Sequence, residues 1–192
     1  MPPEAVQSLD RDLHRFVRVV YGIGPAVPSH ERSLAWRYRG RVPAELEIAP
    51  ILAEEFEELL PLIAAYQRFY EVEDVDDERN RTFFGRFLGP SEDGLLLGAR
   101  SEERLVGYAC LYWHFSSLEA CESVLMNDLF VDESARGQGV GRALIEAAAA
   151  VARDREVPFV EWSTAPDNET AQRLYDSIGA ERTEWYSYEL RV

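Results

Sequence analysis

The sequence contains no lysine: all twenty of its basic side chains are arginine, against thirty-five aspartates and glutamates. The resulting net charge of −15 argues against sequence-independent nucleic-acid binding, because that affinity comes from basic side chains that neutralise phosphates. The charge favours a cationic partner, although acidic side chains that only keep a protein soluble give the same count. We therefore predict no nucleic-acid partner.

Cysteine is scarce, and long apolar runs are missing. Cys110 and Cys121 are too few for a disulfide framework and have no metal-ligand spacing, so we expect no metal site and a reducing cytoplasm. No run of about 18 apolar residues exists, which excludes a transmembrane helix. Charged residues from Asp10 to Arg18 interrupt any signal-peptide core. The prediction is a cytoplasmic protein with no membrane partner.

Charge divides the chain in two. Residues 1–45 carry a net charge of +2 and residues 46–192 carry −17. The first segment has one helical repeat, between Leu9 and Val20, which stops at the glycines and proline of 22–25. We interpret residues 1–45 as an appended arm and residues 46–192 as one domain.

Along residues 46–192, hydrophobic residues recur in some segments with the period of an α-helix and in others with the period of a β-strand. Helices are predicted over 53–71, around 83–88, and over 139–156 and 167–178. Strands are predicted over 45–51, 95–100, 105–113, 122–132, 158–164 and 182–191. Hairpin-connected strands followed by alternating strands and helices indicate a mixed α/β sheet with helices on its faces.

A glycine-rich loop joins the strand at 122–132 to the helix at 139–156. Gly137, Gly139 and Gly141 permit a tight turn and bring backbone N–H groups close to a ligand. The start of the helix favours an anion, most often phosphate, and Arg136 and Arg142 add positive charge. An ordinary strand–helix turn is the alternative, but the position of the loop favours phosphate.

Three phosphate-binding schemes compete for this loop. A P-loop needs a lysine, which the chain lacks. A dinucleotide fingerprint needs its third glycine one residue later than Gly141, although Glu161 has the spacing of a ribose-binding acid. The pattern Arg136-x-x-Gly139-x-Gly141 after a strand resembles the acetyl-CoA pyrophosphate loop of the GNAT N-acetyltransferase superfamily.

A second motif supports that resemblance. The pattern Asn168-x-x-Ala171-x-x-x-Tyr175, closed by Gly179, is similar to the later cofactor motif of the same family. The resemblance covers residues 46–192 and implies the GNAT fold, a central, mostly antiparallel twisted sheet with helices on both faces. Segments 61–70, 114–116 and 127–131 look like the branch that contains small-amine, polyamine, D-amino-acid and histone-tail acetyltransferases.

The resemblance also implies the ligands. It points to acetyl-CoA as co-substrate, no metal, and a primary amine of a small cationic molecule as acceptor. The expected contacts are backbone N–H groups and an asparagine motif for the pantetheine arm, and the loop for the pyrophosphate. These positions are Leu129, Phe130, Val131, Arg136, Gly137, Gln138, Gly139, Val140, Gly141, Arg142, Asn168 and Ala171.

Two residues are implied as catalytic. Tyr175 is expected to protonate the leaving thiolate, with a packed core tyrosine as the alternative. Many relatives place glutamate where this chain has Asn127, so Asp128 is the nearest carboxylate that could act as base, acting through water. The alternative for Asp128 is a structural acid at a strand bulge.

Other features allow more than one interpretation. His114 is expected to be a hydrogen-bonded surface residue, with a place in the acceptor pocket as the alternative. The acidic segment, residues 71–78, borders the acceptor side in similar proteins, but a solvated loop is equally consistent with it. A non-catalytic acyl-CoA sensor and a nicotinamide-binding enzyme are the rival functions, and a homodimer is compatible with the resemblance. The sequence does not identify the acceptor.

Overall fold

The computed structural model describes residues 46–89 and 91–192. The predicted arm, residues 1–45, lies outside these ranges. The strands are β1 (Leu46–Pro50), β2 (Gly94–Ser101), β3 (Arg104–Ser116), β4 (Cys121–Val131) and β5 (Val160–Glu161). The helices are α1 (Phe56–Phe69), α2 (Asp77–Phe84), α3 (Val140–Asp154) and α4 (Glu169–Ser177), with short 3-10 turns at Ala53–Glu55, Gly85–Phe87 and Glu133–Ala135.

The strands form one sheet in the order β1-β2-β3-β4-β5. The first four strands pair antiparallel, and β5 pairs parallel with β4. This confirms the predicted mixed, mostly antiparallel sheet, and its hairpin connections exclude the doubly wound parallel sheet of a dinucleotide-binding fold. The nicotinamide alternative is therefore wrong at the level of the fold.

Apolar residues are buried on both faces of the sheet. Alternation along the strands sends Leu111 and Val124 to a core that is closed by α3. The intervening residues, such as Tyr108 and Cys110, enter a second core that is closed by α1 and α2. Cys110 is thus a buried core residue, and both cysteines are free thiols.

One β-bulge interrupts the pairing of β3 with β4. Cys110 is opposite Asp128 and Leu111 is opposite Met126, so Asn127 is an extra residue without a partner on β3. The extra residue resets the alternation of β4. Asp128 therefore faces the α1 side of the sheet, where an unbulged strand would have sent it to the α3 side.

The C-terminal prediction is wrong. Residues 180–192 adopt no regular structure, and Trp185, Tyr186 and Tyr188 are exposed, where a strand over 182–191 was expected. The strand predicted over 158–164 shortens to Val160–Glu161. A strand needs a neighbour for its backbone groups, and a two-residue β5 offers too short an edge for a further strand.

Candidate active site

A gap opens in the sheet where β4 and β5 diverge. Their pairing comprises Val124 with Val160 and Leu125 with Glu161, while β4 continues to Val131. Leu129, Phe130 and Val131 pair with β3 on one side, and no strand covers their other side in the described residues. An extended ligand can hydrogen-bond to such a free strand edge as an added strand does.

The glycine loop begins where the free edge of β4 ends. Gly137 and Gly139 have φ angles of 75° and 85°, in the left-handed region that favours glycine. A Cβ added at either position would meet no atom within 4 Å, so space for a ligand adjoins both. Gly141 differs: its added Cβ would lie 3.1 Å from the Leu174 side chain, so this glycine allows α4 to approach α3.

The two nearby helices start differently. Gly139 precedes α3 and offers no side-chain cap, so the first N–H groups of α3, including that of Val140, have no partner within the helix. Asn168 caps α4, because its Oδ1 accepts a hydrogen bond from the Ala171 N–H at 3.2 Å. The start of α3 can therefore receive an anion, which fits the pyrophosphate of an acyl-CoA. Gln138 lies in the same loop and donates from Nε2 to the Ser134 carbonyl oxygen.

Both arginines of the loop have partners within the chain. Arg136 Nε donates to the Val131 carbonyl oxygen at 3.1 Å, and its guanidinium lies 5.8 Å from the Phe130 ring centroid. Arg142 Nη2 donates to Ser177 Oγ at 2.8 Å, which ties α3 to the end of α4. The expected contacts of these arginines with phosphate stay predictions.

Tyr175 lies on α4, beside the segment that follows β5. Its ring meets that of Trp162 edge to face, with the centroids 5.3 Å apart. Burial, and secondarily the nearby Tyr70 at the end of α1, raise the pKa of Tyr175 above its usual value. The phenol therefore stays protonated at neutral pH, which is the state that a proton donor requires.

Asp128 is the buried carboxyl group of the site, with 5% of its surface exposed. It accepts hydrogen bonds from the Tyr66 hydroxyl and from Asn127 Nδ2, the latter at 3.0 Å. Burial raises the pKa of Asp128 to about 6, and the two hydrogen bonds oppose this rise. The group is thus ionised at neutral pH, yet it is a stronger base than a solvated aspartate.

Sequence reasoning missed the role of Tyr66. The residue belongs to the apolar face of the predicted helix 53–71, where a tyrosine is ordinarily a packing residue. Its ring packs edge to face against Tyr108 and Phe130, and burial raises its own pKa. A tyrosine on the apolar stripe of the helix was the signal, but the partner of its hydroxyl could not be read from the periodicity.

The acidic segment, residues 71–78, is partly used for local structure. Asp76 caps α2 by accepting from the Arg79 N–H, and Asp74 pairs with the Arg79 guanidinium at 3.2 Å. Glu78 pairs with Arg81 at 3.4 Å. These partners reduce the field that the segment can exert on a cationic ligand.

The nicotinamide alternative assigned Glu161 to a ribose. In the structure, Glu161 accepts a hydrogen bond from Ser123 and pairs with His114 instead. Among the described residues, no group of three or more potential ligands could hold a metal ion. In the same ranges, no helix has both the length and the apolar composition to span a membrane.

Comparisons with known proteins agree on one family. The sequence profile described as "Acetyltransferase (GNAT) family" matches residues 56–180. A D-amino-acid N-acetyltransferase of Saccharomyces cerevisiae is 38% identical over 99 residues, which are 50% of this chain and 62% of the yeast protein. A thialysine N-epsilon-acetyltransferase of Bos taurus is 30% identical over 77 residues, 40% of this chain and 45% of that protein. The chain thus spans less than two thirds of either relative.

A solved structure extends the comparison. The crystal structure of a probable acetyltransferase superposes with a TM-score of 0.67 and 32% identity, covering 76% of this chain and 97% of that one. The same fold therefore accounts for nearly the whole of the compared protein.

Tyr66→Phe tests the environment of Asp128. Removing the hydroxyl takes away a donor to the carboxylate, so the pKa of Asp128 should rise from about 6 by roughly one pH unit. Carboxyl carbon NMR titration measures this pKa. The matched control is Tyr108→Phe, because the Tyr108 hydroxyl has no hydrogen-bond partner among the described residues. An Asp128 pKa that is equal in wild type and Tyr66→Phe would contradict the hydrogen bond from the Tyr66 hydroxyl to the Asp128 carboxylate.

Proposed function

Because this chain belongs to the GNAT family of acetyltransferases, we propose that it transfers the acetyl group of acetyl-CoA to a primary amine of a small, cationic acceptor. The amine attacks directly, with both substrates bound together. One observation carries the proposal. It is the free edge of β4 at Leu129–Val131, which is followed along the chain by the uncapped start of α3. Asp128 precedes this edge on β4, and Tyr175 packs against Trp162, the residue after β5.

Binding of the co-substrate is assigned to backbone groups. The N–H groups on the free edge of β4, at Leu129–Val131, are suited to bind the pantetheine arm as an added strand. Those of the loop and the first turn of α3 are suited to the pyrophosphate. Asn168 and Ala171 support this arrangement by fixing the start of α4, and Arg136 and Arg142 supply the positive charge beside the loop.

Two side chains move the protons. Bound acetyl-CoA supplies an activated acyl group and a thiolate leaving group. Asp128 accepts a proton from the acceptor ammonium, directly or through a water molecule, because an amine attacks only in its neutral form. Tyr175 donates the proton that the leaving sulfur requires, since its hydroxyl remains protonated at neutral pH.

The negative net charge of the domain supports a cationic acceptor. Residues 46–192 carry −17, and a field of this sign attracts amines. The relatives named above act, by their names, on a D-amino acid and on thialysine, both of which contain amino groups. A homodimer and a cytoplasmic location remain predictions.

The function is tested by release of CoA. Purified protein is mixed with acetyl-CoA and a panel of diamines, polyamines, amino acids and monoamines, and the free thiol is measured. We expect amine-dependent release, and a fall in kcat of about 100-fold in Tyr175→Phe at an unchanged KM for acetyl-CoA, because only the proton donor is lost. Tyr186→Phe, which removes an exposed hydroxyl, is the control. Acetyl-CoA binding without release for any amine would instead support the non-catalytic sensor.

The loop is tested by two glycine substitutions. Gly139→Ala places a Cβ where the backbone approaches the ligand, and we expect the KM for acetyl-CoA to rise about tenfold. Gly89→Ala is the matched control, because Gly89 also has a positive φ, 65°, and also has open space around its added Cβ. Both substitutions put a Cβ on a residue with a positive φ, but only the first adjoins the proposed site. Equal KM values in the two variants would refute the loop assignment.

A further inference from the structure

Three polar side chains from neighbouring strands meet beside the gap. Ser123 Oγ on β4 donates to Glu161 Oε1 on β5 at 2.8 Å. His114 Nδ1 on β3 lies 2.9 Å from the same oxygen, and His114 and Ser123 are cross-strand partners. Ser123 is buried, whereas the side chains of His114 and Glu161 are 48% and 41% exposed. The cluster is therefore held by a buried serine, while its histidine and glutamate side chains are accessible to solvent.

The cluster lies on the same face of the sheet as Asp128. Cys110 and Tyr112 belong to the α1-side core, and His114 continues their alternation along β3. Because Asn127 is an extra residue in β4, both Ser123 and Asp128 also face that side. Asp128 and the cluster therefore lie on the same face of the sheet, with Leu125 between them on β4.

The distance between Asp128 and Glu161 follows from the register in which β3, β4 and β5 pair. Glu161 is opposite Leu125 in the last residue pair before the gap. Asp128 follows Leu125 by three residues, but the bulge at Asn127 takes up one of these steps, because Leu125 is opposite Tyr112 and Asp128 is opposite Cys110. The two positions are therefore two paired residues apart, which corresponds to roughly 7 Å at the rise of a strand. A ligand that reaches both carboxylates is therefore extended and has two polar ends.

The hydrogen bonds prepare Glu161 for a cation. Both contacts use Oε1, which fixes the orientation of the carboxylate and directs Oε2 away from them. Partly exposed pairs of this kind add little to stability, so the stability of the fold does not account for the arrangement. A carboxylate held in a fixed orientation suits an ammonium group and repels a carboxylate.

We propose that Glu161, held by Ser123 and His114, binds a second ammonium group of the acceptor while its first ammonium faces Asp128. This inference rests on the proposed function. It narrows the acceptor class to extended diamines and oligoamines, and it disfavours molecules with a carboxylate at their far end. Glu161 is thereby a specificity-determining residue for the length and the charge of the acceptor.

Matched amines test the subsite. The values of kcat/KM for octanediamine, octylamine and propanediamine are compared in wild type, Glu161→Gln and Glu122→Gln. Wild type should prefer octanediamine over both other amines, because only that molecule has two ammonium groups with an extended span. Glu161→Gln should lower the ratio of octanediamine to octylamine about tenfold. Glu122→Gln loses the same charge one residue from Ser123, where Glu122 pairs with Arg155, and should preserve the ratio.

The outcomes separate this inference from the proposed function. CoA release with octylamine, without any advantage of octanediamine, overturns the inference and leaves the function intact. An equal loss in Glu122→Gln also overturns it, because the general negative field then explains the preference. If no amine releases CoA, the proposed function fails. Calorimetric titration of octanediamine into wild type and Glu161→Gln then tests the ammonium subsite by itself. Binding about tenfold weaker in Glu161→Gln supports it, and equal binding contradicts it.

Discussion

The short contact between β4 and β5 is the constraint on which the site depends. Two residue pairs join these strands, so the C-terminal half of β4 has an unpaired edge at the place where α3 begins. The bulge at Asn127 acts with this divergence, because it turns Asp128 toward α1 just past the last pair. Longer pairing or an unbulged strand would fill the gap or send the carboxylate into the opposite core. Backbone geometry therefore creates both the free strand edge and the position of Asp128, the proposed base.

Asp128 opposes the stability of the fold that positions it. Its pKa is about 6 in the folded chain, against 3.8 for a solvated aspartate. The folded state thus holds the proton more tightly, and between these pH values the free energy of unfolding falls as the pH rises. Above pH 6 this group alone lowers it by about 3 kcal/mol. Tyr66 and Asn127 reduce that cost, and a costly buried carboxylate at an open gap is typical of a functional group.

Local patterns predicted the parts of the site that are local in the chain. The glycine loop and the start of α3 are each encoded within a few residues, and the structure shows them where the sequence indicated. The hydrogen bond of Tyr66 to Asp128 and the contact of His114 with Glu161 join distant segments, so periodicity could not reveal them. The strand predicted at 182–191 failed for a related reason, because its alternating pattern cannot show whether a sheet edge is available to it.

The central claim is that Asp128 is the base, and the pH dependence of kcat/KM tests it most directly. The measurement compares wild type with Asp128→Asn, using one amine over a range that spans pH 5 to pH 8. The account predicts that wild-type activity falls below a pH of about 6, where the carboxylate is protonated. It also predicts that Asp128→Asn loses this acidic limb together with about 100-fold or more of its activity. An Asp128→Asn variant that keeps the wild-type rate and the same acidic limb would contradict it.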